Sequence, residues 1–178
     1  MAGNLELVKV VTTTVTNLIN VTDVFTSKYD VYKIVISGLN QNTNVDNEIN
    51  GLRFIDSGGV ITASDYDYAV LYMPSGSAFS EARNTTASDI FMGQRADQVG
   101  DGSNNTVFYV FNPFDSLSYT FTLSQSASFG SSFNLNGAKG IGVYHQTSSI
   151  TGFQIYDSDV SRPFASGSKI SVYGLASN

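Results

Sequence analysis

The stretch "YDVYKIVISGL", Tyr29 to Leu39, decides the fold class. Read at a period of two, Tyr32, Ile34 and Ile36 fall on one face, and Val31 and Val35 fall on the other with Lys33 between them. That is the alternation of an extended strand, not the 3.6-residue period of a helix. Apolar residues on both faces predict a central strand covered on both sides. The same alternation closes the chain in "SGSKISVYGLASN", where Ser168, Ile170 and Val172 oppose Lys169, Ser171 and Tyr173. A chain that carries a core strand almost to its last residue, with no shaft or linker, is expected to be a complete compact module.

Outward from these two strands the pattern repeats. "LELVKVVTTTVT" and "LINVTDVF" precede the central strand, and the Asn-rich segment Asn40 to Asn50 follows it as a loop, because Asn and Asp side chains bond their own backbone in turns. Gly58-Gly59 predicts a tight hairpin between a strand ending near Ile55 and one starting at Val60. In "SDYDYAVLYM", Tyr66, Tyr68, Val70 and Tyr72 form one face, a tyrosine ladder. Between Met73 and Thr106 only "DIFM" reads as a strand, so long surface loops are expected there. Five strands follow: "TVFYVFN", "YTFTLS", "AKGIGVYHQ", "SITGFQIYD" and "SKISVYGL". No stretch has a helical period, so the chain is expected to be all-β, a single-domain antiparallel β-sandwich over residues 1–178, jelly-roll-like. Tyr32, Ile34, Phe54, Val110, Phe121, Phe153, Ile170 and Val172 are placed in its core.

Composition narrows the function. At 178 residues one core suffices, and the absence of cysteine removes disulfides and thiolate metal sites. The start "MAGNLELVKVV" lacks the basic and apolar regions of a secretory signal, and no run is long enough to span a bilayer. Neither export nor membrane insertion is expected. A net charge of −6 opposes binding to phosphate backbones, so no nucleic-acid partner is expected either. Only 13% of residues are charged, against ~25% in ordinary domains. A surface of Ser, Thr, Asn and Gln loses little on being covered, as at interface centres, although β-rich modules also carry such surfaces with no partner.

Chemistry is sparse. The one histidine, His145, stands near a strand end and reads as a surface residue, with no nucleophile elbow or phosphate-binding glycine loop elsewhere. Asp65 and Asp67 would share a strand face, as would Asp157 and Asp159; paired carboxylates could serve a polysaccharide depolymerase, but adjacent like charges are more often solvated strand ends. "DGSNN" (Asp101 to Asn105) and "DSD" (Asp157 to Asp159) offer oxygen ligands for Ca²⁺ without the EF-hand pattern. No catalytic residues, cofactor or metal are therefore assigned. The tyrosine ladder has two readings: Tyr66, Tyr68 and Tyr72 as a sugar-stacking surface for a host glycan, or as the inner face of the sandwich.

Four segments, "VTDVFTSKYDVYKIVISGL", "GLRFIDSGGVITASDYDYAVLYM", "SSITGFQIYDS" and "SGSKISVYGLA", together resemble small virion structural proteins of tailed bacteriophages, especially the marine T7-like podoviruses, whose chains often end in a strand of the type I-x-V-Y-G-L. The likeness covers about Asn20 to Ala176 and consists of strand patterns and turn glycines, so it brings no active-site residues with it. It implies a non-enzymatic protein of the virion, made in the host cytoplasm, that docks on the major capsid protein or other virion proteins as a surface knob or decoration. A tail or tail-fibre-associated receptor- or glycan-binding module is the alternative, and a homo-oligomer is compatible with either. The first strand, expected at a sheet edge, supplies the candidate interface residues Leu5, Leu7, Val10 and Val11; completing the domain's own sheet is the competing role for that strand.

Overall fold

The inner face of the central strand is sealed: Tyr32, Ile34 and Ile36 are each 0% exposed. They lie in β3 (Val31–Leu39) of a computed structural model that describes residues 4–41, 48–96, 104–129, 135–157 and 162–176. No described residue is helical. The remaining strands are β1 (Leu5–Thr12), β2 (Leu18–Val21), β4 (Glu48–Asp56), β5 (Gly59–Val60), β6 (Tyr66–Pro74), β7 (Ser80–Ala87), β8 (Ile90–Ala96), β9 (Asn104–Phe111), β10 (Thr120–Phe129), β11 (Leu135–Tyr144), β12 (Gly152–Asp157) and β13 (Lys169–Leu175).

Two antiparallel sheets form. The larger runs β1-β13-β3-β9-β10-β11-β6-β7; in the smaller, β2-β12-β4 continues to β5, and β8 also pairs with β4. Eight of these strands trace a jelly roll: β1, β13, β3 and β9 are neighbours in one sheet and β2, β12, β4 and β8 in the other, the arrangement of two interlocked Greek keys. The other strands are insertions. β6, β7, β10 and β11 extend the larger sheet beyond β9, and β5 makes a short hairpin with β4, Ile55 opposite Val60. Gly59, at φ +110°, takes the left-handed backbone this turn needs.

The core lies between the sheets. Ile170, Val172, Phe108 and Val110 from the larger sheet meet Leu52, Phe54, Phe153 and Ile155 from the smaller, all of them 0% exposed. Rings lock edge to face or tilted, with Phe25 and Tyr32 centroids 4.8 Å apart and Tyr66 and Tyr144 at 5.1 Å. Two glycines are required by close approach. A Cβ on Gly174 would collide with the Tyr29 ring lying over it, and one on Gly142 would meet Ile90 Cγ2 at 2.7 Å, where β8 crosses the sheet extension.

Several expectations are corrected. Phe121 is 48% exposed and sits on the outer side of the larger sheet, since the paired register gives the inner side of β10 to Thr120 and Thr122. β3 is covered on one face only, Val31, Lys33 and Val35 being half-exposed. The span from Met73 to Thr106 is not mainly loop, for it contains β7 and β8. β7 gave no apolar alternation because it is an exposed edge strand. The Asn-rich loop gives way to β4 at Glu48, and its middle, 42–47, lies outside the described residues.

Candidate docking face

The outer face of the larger sheet carries apolar residues on every strand from β1 to β6. Strand register aligns a middle row of Leu7, Tyr173, Lys33, Tyr109, Leu123, Ile141, Ala69 and Arg83 from β1 to β7. On one side of it Leu5, Leu175, Val31, Phe111, Phe121 and Val143 form a second row. On the other, Val10, Val35, Val107 and Leu71 interleave with Ser171, Gln125, Lys139 and Glu81. No described segment covers these rows: Leu7 is 59% exposed, Ile141 58% and Leu123 47%. An apolar surface of this extent is uncommon on a monomer, which makes this face the candidate docking surface.

The outer face of the smaller sheet is built differently. Gln154 donates to Asn20 Oδ1 at 2.9 Å, the Arg53 guanidinium lies 3.9 Å from the Tyr156 ring centre, and Tyr156 donates to Asp89 Oδ2 at 2.5 Å. Burial, with Asp89's hydrogen bond next, pushes the Tyr156 hydroxyl well above its ordinary value. Gly51 leaves room for that ring, since a Cβ there would meet Tyr156 Cε1 at 2.5 Å. These polar groups answer one another, whereas the larger sheet's outer face presents hydrocarbon.

That apolar face is hollowed towards β6, β7, β10 and β11. A depression of about 620 Å³ has Phe121, Leu123, Ile141 and Val143 on its floor, and Asp67, Arg83 and Asn84 among the residues that line it. A second of about 490 Å³ adjoins it over Leu71, Ala82, Lys139 and Gly140. Small residues make the hollow: Ala69 opposes Ile141 across β6 and β11. The other half of the face carries Tyr109 and Tyr173, with Lys33 Nζ 6.0 Å from the Tyr109 ring centre.

Of the candidate interface residues, the structure brings Leu5, Leu7 and Val10 to this face, at its β1 edge, and turns Val11 inward against the core. A register shift between Leu7 and Lys9 is responsible: one extra residue in a strand swaps the faces of everything beyond it. Strict alternation would have put Val11 beside Leu7. The inner edge of β1 is tied by Glu6, which accepts from Lys28 Nζ at 2.6 Å and from the Tyr29 hydroxyl at 2.5 Å. The Lys28 hydrogen bond, then that of Tyr29, holds the Glu6 carboxyl below its usual range.

The tyrosine ladder faces the interior. Tyr66 is 0% exposed, its hydroxyl accepting from Phe54 N at 3.0 Å and donating to Ile61 O at 3.1 Å, so it is core and out of a glycan's reach. Tyr68 and Tyr72, half-buried, pack on Phe91 with centroids 5.9 and 5.8 Å away. His145 Nε2 stands 3.7 Å from Asp67 Oδ1, and Asp65 Oδ1 accepts from Gln146. Among the described residues no group of three or more His, Cys, Asp or Glu converges as metal ligands. Of the two oxygen-rich stretches, 101–103 and 158–159 lie outside the described residues; Asn104 and Asp157 are buried, and Gln41 Nε2 donates to Asp157 Oδ2. No described helix is long and apolar enough to cross a membrane.

Jelly-roll architecture and an uncovered apolar sheet face together define a β-sandwich with a surface suited to docking. The chain matches no protein-family model, and no curated protein matches it.

Proposed function

We propose that this protein is a non-catalytic building block of a larger particle, a virion structural protein of a tailed bacteriophage that sits on the capsid surface as a knob or decoration. The observation that carries the docking part is the outer face of the larger sheet, eight adjacent strands wide, with two largely apolar rows and a third in which apolar and polar residues interleave. Such a face loses hydration cost when another protein covers it. The phage context rests on the resemblance of the strand segments, above all "KISVYGL" at the close of the chain. The non-catalytic part of the proposal rests on the sequence, with its one histidine, no cysteine and scattered carboxylates; His145 and Asp67, half-exposed and 3.7 Å apart, are the pair that a catalytic alternative would use.

Antibody labelling of purified particles by electron microscopy tests it. Labels over the shell are expected; labels confined to the tail would move the protein to the tail-associated alternative, and particles free of the protein would end the virion reading. Degradation of host-surface glycans that disappears in Asp65→Ala or Asp67→Ala would overturn the non-catalytic assignment.

A further inference from the structure

We infer that the outer face of the larger sheet is covered by a second copy of this chain, the two sheets packing face to face about a two-fold axis between β9 and β10. This rests on the docking role just proposed and names its partner. Size and shape point to a copy, and charge permits one.

Eight strands at ~4.8 Å spacing span roughly 34 Å, and three rows of side chains with their margins roughly 20 Å, so each copy offers on the order of 700 Å². A standard stable interface takes ~800 Å² from each partner. In shape the face is its own complement. The half formed by β6, β10 and β11 is hollow over Ala69, Leu123 and Ile141, while the half formed by β13, β3 and β9 carries the longer side chains Tyr173, Lys33 and Tyr109 in the same row. A two-fold axis at the middle of the strand order β1-β13-β3-β9-β10-β11-β6-β7 sets β13 over β6, β3 over β11 and β9 over β10. Tyr173 of each copy then lies above Ala69 of the other, the Lys33 stem above Ile141, and Tyr109 against Leu123. The largest of these side chains, Tyr173, meets the smallest, Ala69. In charge, the three rows hold Lys33, Lys139 and Arg83 with Asp67 and Glu81, so the face is close to neutral and does not strongly repel a copy of itself. The same two-fold keeps each row over itself, setting Val31 over Val143, Phe111 over Phe121 and, at the margin, Leu175 over Asp67.

Sedimentation velocity on the full chain across a wide micromolar range tests this, with Ile141→Lys as the disrupting variant. Ile141 is 58% exposed, so the substitution leaves the monomer's core untouched, and circular dichroism checks that. A dimer of two 19.1 kDa chains is expected, weakened at least ~100-fold by two ammonium groups buried in the interface. Because the chain has no cysteine, Ala69→Cys and Tyr173→Cys chains can be mixed and oxidised, and a disulfide between the two variants is expected. Should Ile141→Lys misfold, Leu123→Lys serves in its place, and the cross-link stands independently. A wild-type chain that remains monomeric throughout, or a dimer indifferent to both lysine variants, would overturn the inference. A monomer whose Ile141→Lys variant no longer joins particles would also overturn it while keeping the particle role, with another virion protein as occupant. A dimer absent from purified particles would leave the inference standing and end the virion reading.

Discussion

Tyr66 shows how much a single residue settles here. Its ring fills the core between Phe54 and Tyr144, and its hydroxyl satisfies the backbone N–H of Phe54 and the carbonyl of Ile61. Tyr66→Phe keeps the ring and orphans a buried donor, at a cost of about 1–3 kcal/mol. Urea unfolding should show that loss as a lower midpoint at unchanged slope. Burial also pushes the Tyr66 hydroxyl well above its ordinary value, and that of Tyr156 likewise. A folded state that holds these protons more tightly than the unfolded chain gains stability that is fully present below the ordinary tyrosine value of ~10 and is lost as pH rises towards the higher folded values. Of the ten tyrosines, Tyr66 and Tyr156 should ionise only as the protein unfolds. Alkaline titration by tyrosinate absorbance, run beside circular dichroism, would refute this if every tyrosine ionised while the fold persisted.

Among the elements, β1 and β8 are held in opposite ways. β1 is an edge strand with an exposed outer face, tied inward by Val11 and by Glu6 to Lys28 and Tyr29. Since the Glu6 carboxyl is depressed in the folded state, its contribution is present above the ordinary glutamate value and is lost as pH falls through the lower folded one. Hydrogen exchange should therefore report β1 amides opening on acidification before those of β3 or β9, and in Glu6→Gln that difference should shrink. β8 depends on close contact, Ile90 sitting where a Cβ on Gly142 would be 2.7 Å away. Gly142→Val should overpack this crossing and cost about 1–3 kcal/mol. Thermal unfolding measures it, and an unchanged midpoint would mean that β8 shifts freely.

At the scale of the whole molecule the two outer faces divide the work. The smaller sheet's polar ties among Arg53, Tyr156, Asp89, Gln154 and Asn20 leave it content in water. The larger sheet's hydrocarbon does not share that property, and mass action should reveal it: for a native state that associates, unfolding temperature rises with protein concentration. The wild-type chain is expected to show that rise in calorimetry and Ile141→Lys to show none. Both charge and composition fit this division, because a chain with 13% charged residues has few ionised groups to desolvate when a face is covered.

By itself the sequence determined the class. Period-two alternation in "VYKIVI" and "KISVYG" and the Gly58-Gly59 turn are local properties that survive in any context, so strands, hairpin and sandwich were legible, and Tyr32, Ile34, Phe54, Val110, Phe153, Ile170 and Val172 proved buried as expected. Which apolar face was core was not legible. Val31 and Val35 look as buried in sequence as Ile34 does, because alternation says that two faces are apolar and not that a second layer exists in the same chain. Only the tertiary structure left that face open, moved Phe121 onto it, and, through one extra residue in β1, sent Val10 out and Val11 in. β7 escaped notice since an exposed edge strand needs no hydrophobic pattern. The candidate docking face is assembled from strands near both ends of the chain and from insertions between them. Its continuity comes from strand order, a long-range property that hydrogen-bonded register creates and that no short stretch of sequence contains.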